Sequence, residues 1–66
     1  MSHAAQIAPL AVGPEDAGRI TGHARSAIYE AIASGELKSF KSGKRRLILM
    51  SELSLWIERK AKEGAR

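Results

Sequence analysis

Residues 14–35 read PEDAGRITGHARSAIYEAIASG, and the fold turns on how this stretch is parsed. Pro14 suits the first position of a helix, where its fixed φ is already right and its missing N–H has no partner to lose. Glu15 and Asp16 put negative charge in the first turn, where the helix dipole favours it. Ala17, Ile20 and Thr21 follow at i, i+3 and i+4, which predicts one narrow buried face. Gly22 is free to take the left-handed conformation that ends such a helix. A second helix is expected from Ala24, Ala27, Ile28, Ala31 and Ile32, again spaced by three and four, with Gly35 as its stop. Two short helices joined by a glycine turn build many small α-helical domains. The same pattern can also place a second helix in a DNA major groove. By itself it leaves both readings open.

Outward from this stretch, residues 1–9 (MSHAAQIAP) are small, mixed and without period, and are expected to form a tail. They carry no Lys or Arg, which a minor-groove arm would need. Residues 10–12 lead into the first helix, with Val12 placed to pack beneath it and Gly13 as an acceptable but weak N-cap. After Gly35 the period changes. Residues 37–40 (LKSF) and 46–49 (RLIL) are short strand candidates around the turn-rich KSGKR. Leu37, Leu47 and Leu49 are expected to face the core, leaving Lys38, Lys41, Lys44, Arg45 and Arg46 outside as a basic hairpin. Ser51 is the expected cap of a last helix, with Glu52 in its first turn. Leu53, Trp56, Ile57 and Lys60 follow at helical spacing, Glu58 and Lys62 form an i, i+4 pair, and Gly64 is the stop. The expected fold is mostly α with a small β-hairpin, in the order helix, helix, hairpin, helix. This is a winged helix-turn-helix over residues 10–64.

Sixty-six residues make one domain. A chain of this size buries only about 60% of its unfolded surface, which favours a binding module over an elaborate enzyme pocket. Eleven Lys and Arg against seven Asp and Glu suit a polyanionic partner. The absence of cysteine rules out a disulfide framework or a Cys-type zinc site. No apolar run approaches the roughly 20 residues of a membrane span, and no signal-peptide pattern opens the chain. The expectation is a soluble, cytoplasmic, nucleoid-associated protein without membrane contact.

Five of the 11 cations lie between Lys38 and Arg46, and Arg25 opens the second helix. A charge run on an isolated hairpin is ordinarily a solvated surface; beside two such helices in a cationic chain, it becomes a candidate phosphate grip. Phosphate contacts position a protein without reading sequence. Base reading is expected from Arg25, Ser26 and Tyr29 on the exposed side of the second helix. Arg can pair with guanine O6 and N7, and Ser can bond bases or phosphates. Tyr29 is divided between packing and a phosphate contact, and Glu30 sits at the edge.

His3 and His23 lack the further ligands a metal would need, so no metal site is expected. His23 reads as a polar surface residue or a weak phosphate contact. Ser51 and Ser54 have no His–acid partners for nucleophilic catalysis, and SGKRR lacks the rest of a phosphate-binding loop. No catalytic residue, cofactor or enzymatic activity is expected. Leu53, Trp56 and Ile57 belong to the core, whereas Leu55 lies off their stripe and offers a surface for self-association or a protein partner.

With these features in place, the chain resembles the excisionase-type DNA-binding domains, small winged helix-turn-helix proteins allied to the MerR regulators. The likeness spans about residues 10–60. It rests on EDAGRITG, on RSAIYEAIASGEL with Tyr29, Ile32, Gly35 and Leu37 in family-like places, on the basic KSGKRRLIL, and on SELSLWIERK. The chain departs from the family pattern at Gly13, at Gly18 beside Ala17, and at Thr21, His23 and Ala24. These changes predict a locally loose turn and a second helix without a capping side chain. The resemblance implies a non-enzymatic phage or mobile-element protein that binds and bends attachment-site DNA. It would act cooperatively with further copies and steer an integrase toward excision. The short chain has no room for the dimerising helix and effector domain of a MerR-type regulator. A small prophage transcription regulator is the alternative, and a protein-interaction module using the last helix is the rival from another class.

Overall fold

The computed structural model describes residues 9–65. Along them run β1 (Ala11–Val12), α1 (Pro14–Thr21), α2 (Arg25–Ser34), β2 (Phe40–Ser42), β3 (Arg45–Leu49) and α3 (Met50–Gly64). Apart from Pro9, the tail expected over residues 1–9 lies outside the described residues. Three helices and a small antiparallel sheet give the mostly α, winged helix-turn-helix arrangement that the sequence predicts.

Two of the three glycine stops act as expected, whereas Gly64 is the last residue of α3 and Ala65 is its C-cap. Gly22 and Gly35 close α1 and α2 in the left-handed region, at φ 77° and 84°. Pro14 opens α1 behind Gly13, and Ala24 begins α2; neither cap residue supplies a side-chain hydrogen bond. The core draws on every helix, on β1 and β3, and on the segment after α2. It comprises Val12, Ala17, Ile28, Ala31, Leu37, Ile48, Leu53 and Trp56.

Four expectations about the strands and helix ends and faces need correction, beside those at the α1–α2 turn and on α3. First, Val12 packs in the core, but as part of a strand: Ala11 and Val12 pair antiparallel with Leu49 and Ile48, so the sheet has three strands in the order β1-β3-β2. Second, the hairpin strands lie at Phe40–Ser42 and Arg45–Leu49 rather than 37–40 and 46–49. Leu37 is buried from the connecting segment, where its N–H donates to the Ala31 carbonyl. The inward residue of β3 is Ile48, fully buried, while Leu47 is half-buried and Leu49 exposed. Successive strand residues point to opposite faces, so one step of register exchanges the whole set. Burying Ile48 is worth about 1.5–3 kcal/mol, which fixes the step. Third, α3 starts directly from β3 with Leu49 as N-cap, so Ser51 lies inside the helix and caps nothing. Fourth, Ile20 is exposed; Gly18, not Ile20, joins Ala17 on the buried face of α1.

Gly18 also explains why the α1–α2 turn is closed rather than loose. A Cβ placed there would lie 2.7 Å from the His23 carbonyl oxygen, so the turn folds onto the bare backbone. The Gly18 carbonyl accepts from the His23 N–H at 2.8 Å, and the Thr21 hydroxyl donates to the Ala17 carbonyl at 2.8 Å. His23 is no free surface residue. Its ring packs on Trp56 with centroids 4.9 Å apart, and its Nδ1 lies 3.1 Å from the Thr21 carbonyl. Trp56 and Leu53 anchor α3 in the core, and Lys60 sets its ammonium 5.8 Å from the indole centroid. Lys60 pairs with Glu36 at 2.9 Å; the Glu58–Lys62 pair expected from spacing does not form among the described residues.

Candidate nucleic-acid interface

Helix α2 buries Ile28 and Ala31 and turns Arg25, Ser26, Tyr29 and Glu30 to solvent. Arg25 and Tyr29 are four residues apart, so they lie one above the other on the same face. Tyr29 is about half exposed, so the residue is open to a partner without being wholly free of the domain.

Arg25 does not stand alone. Its Nη1 donates to Glu15 Oε2 at 2.7 Å, joining the first turn of α2 to the first turn of α1. On the hairpin, Arg45 extends an Nη2 to within 3.6 Å of where a Cβ on Gly13 would stand, just ahead of α1. Arg25 of α2 and Arg45 of the hairpin thus converge on one end of α1, from residues 20 apart in sequence. Both basic segments reach the same end of α1, where Glu15 offsets part of their charge.

The hairpin cations do not all reach this end of α1. Lys44 sits in the tight turn with Gly43, whose φ is 64°. Arg45 pairs across the ladder with Ser42, and Arg46 with Lys41. By strand alternation, Lys41 and Arg46 occupy one face of the hairpin and Arg45 the other. Arg46 is tied back toward the hairpin base, its Nη1 donating to Ser39 Oγ at 2.9 Å. Lys38 lies at that base rather than in a strand, lining a shallow cavity with Ser39, Phe40, Leu49 and Glu52. Arg45 therefore reaches toward Gly13 at the start of α1, Lys41 and Arg46 share the other face of the hairpin, which is the face of Ile48, and Lys38 is removed from the tip.

Sequence reading missed Glu15 as part of the site, because an acidic residue in a first helical turn is already accounted for by the dipole. Its partner lies ten residues away, and only the angle between α1 and α2 brings them together. Among the described residues, no group of three or more His, Cys, Asp or Glu is placed to hold a metal. No described helix is long and apolar enough to cross a membrane.

Comparison with curated proteins and with solved structures returned no significant match. Residues 12–61 match the family described as a helix-turn-helix domain, from Val12 of β1 through most of α3. With most of its length matched and with a second helix presenting Arg25 and Ser26 outward, this chain belongs to the helix-turn-helix domain family, for which DNA is the partner class.

Proposed function

We propose that this protein is a sequence-specific DNA-binding protein of the excisionase type, with residues 10–64 as its DNA-binding unit. The first turns of α2 enter the major groove, where Arg25 reads guanine, Ser26 bonds a base or phosphate, and Tyr29 places its hydroxyl on the backbone. Lys44 and Arg45 grip phosphate or the adjacent minor groove from the hairpin tip. Lys41, Arg46 and Lys38 add to the positive field around it. The single observation supporting this reading is the convergence of Arg25 and Arg45 on one end of α1.

In this role the protein performs no chemistry and needs no cofactor. It binds repeated sites beside an attachment site, bends the DNA, and favours the excisive reaction of an integrase, with further copies binding cooperatively. Its place is the cytoplasmic nucleoid of a bacterial or phage-infected cell. If Lys44 and Arg45 meet phosphates, log K falls with log[salt] at a slope of roughly −2, steepened by any further phosphate contact.

Titration of the full chain against attachment-site DNA and a random duplex, at two salt concentrations, tests the reading. A ladder of cooperative, site-preferring mobility shifts is expected, whereas one discrete complex would assign the chain to transcription regulation. No salt-sensitive binding to either duplex would overturn DNA recognition. Arg25→Ala is expected to cost about 1–3 kcal/mol on the preferred site and to relax the preference at one base pair. Equal weakening on random DNA would make Arg25 a phosphate contact.

A further inference from the structure

We infer that Glu15 is a specificity-positioning residue, holding the Arg25 guanidinium by one nitrogen so that its free edge is presented to a guanine. The inference rests on Arg25 being the base-reading residue. Glu15 and Arg25 meet at 2.7 Å, yet their side chains remain 73% and 64% exposed. An ion pair so open to water adds little to folding, so stability gives it no role. Its geometry gives it one. Arginine carries five N–H donors in a rigid fork, and Glu15 engages only Nη1. The Nη2 and Nε donors remain for the paired acceptors O6 and N7 of a guanine. A long, exposed arginine otherwise samples many rotamers, most of which point its fork away from any one base.

The carboxylate has a second effect of opposite sign. Placed beside a polyanion, it repels phosphate whatever the base sequence. Glu15 thus trades general affinity for discrimination. Removing its charge should move these two quantities in opposite directions, which loss of a merely structural contact would not do.

The preferred site is first obtained by selecting the wild-type chain on a random-sequence duplex pool. Wild type, Glu15→Gln, Arg25→Ala and the double variant are then titrated on that site, on the site with its guanine replaced, and on random DNA. Melting curves confirm that each variant folds. Glu15→Gln is expected to bind random DNA at least as tightly as wild type, while preference for the guanine falls about fivefold or more, toward the Arg25→Ala level. The double variant is expected to lose no further preference. If Arg25→Ala abolishes the preference and Glu15→Gln leaves it intact, the positioning role is overturned and Arg25 stands as the reader. If Arg25→Ala also leaves the preference intact, the reading of Arg25 falls, and the role of Glu15 with it.

Discussion

The turn between α1 and α2 and the tip between β2 and β3 are both short reversals built on a left-handed glycine, Gly22 at φ 77° and Gly43 at φ 64°. Around Gly22, the chain folds onto a buried Gly18, and the His23 ring is drawn against Trp56. Around Gly43, every residue from Phe40 through Arg46 is exposed, and backbone pairing across the ladder supports the tip. The same backbone device therefore sits in opposite settings: the first turn is packed, and the second is exposed and lined by cations. Substitutions should separate in the same way, with stability lost at one turn and binding lost at the other.

The largest effect is expected at Gly18. Alanine in a helix interior normally gains about 1 kcal/mol over glycine. Here the new methyl would meet a backbone oxygen at 2.7 Å, which cannot move without shifting the turn. Overpacking of this kind costs about 1–3 kcal/mol, so Gly18→Ala should lower Tm, by about 4–8 °C for each kcal/mol of net loss. A rise in Tm would mean that the turn has room to spare and that the contrast with the tip is false.

At the tip the expectation reverses. Lys44→Ala should leave Tm essentially unchanged, because an exposed side chain away from special contacts contributes within about 0.5 kcal/mol. It should weaken binding to specific and random duplexes alike and reduce the magnitude of the salt slope by about 0.9. An unaltered slope, read from titrations at several salt concentrations, would remove the tip from the interface.

The two turns also differ in how far the sequence reveals them. Gly22, Gly35 and the tip announce themselves, since glycine between periodic segments has few other uses. Helix α2 follows from apolar spacing, and α1 from its Pro14 start and Gly22 stop, although spacing puts Ile20 rather than Gly18 on its buried face. The register of β3 does not. In RLIL three apolar residues run together, so alternation cannot say whether Ile48 or its two neighbours face inward; only pairing with Val12 and packing of the helices decide it. β1 is two residues long, too short to carry a period of its own. His23 looks polar in sequence because Trp56, its partner, lies 33 residues away. In the same way, the basic residues of the site are visible as a list, but Glu15 and the separation of Arg45 from Arg46 depend on helix angles and strand pleat.

A third reversal, at Gly35, falls between these extremes and gives the smallest effect. Leu37 is buried there, but Glu36 beside it is clasped by two cations of α3. Arg59 Nη2 donates to the Glu36 carbonyl at 2.7 Å, and Lys60 pairs with its carboxylate at 2.9 Å. The hydrogen bond to Glu36 raises the Lys60 pKa above the usual lysine value, against partial desolvation; the charges of Glu36 and Glu63 add to the rise and Arg59 opposes it. A pKa raised in the folded state adds stability that is complete below the unfolded pKa and is lost as pH rises through the folded one. Wild type should therefore hold a small advantage over Glu36→Gln in urea midpoint at neutral pH, and the two should converge in the alkaline range above about pH 10.4. Glutamine keeps the backbone carbonyl that Arg59 uses, so the comparison isolates the carboxylate. A gap that stays constant through that range would assign the Glu36 contribution to packing, making the Gly35 turn a packed reversal like the one at Gly22. A gap that closes leaves it a turn tied by charge at its rim over an apolar anchor.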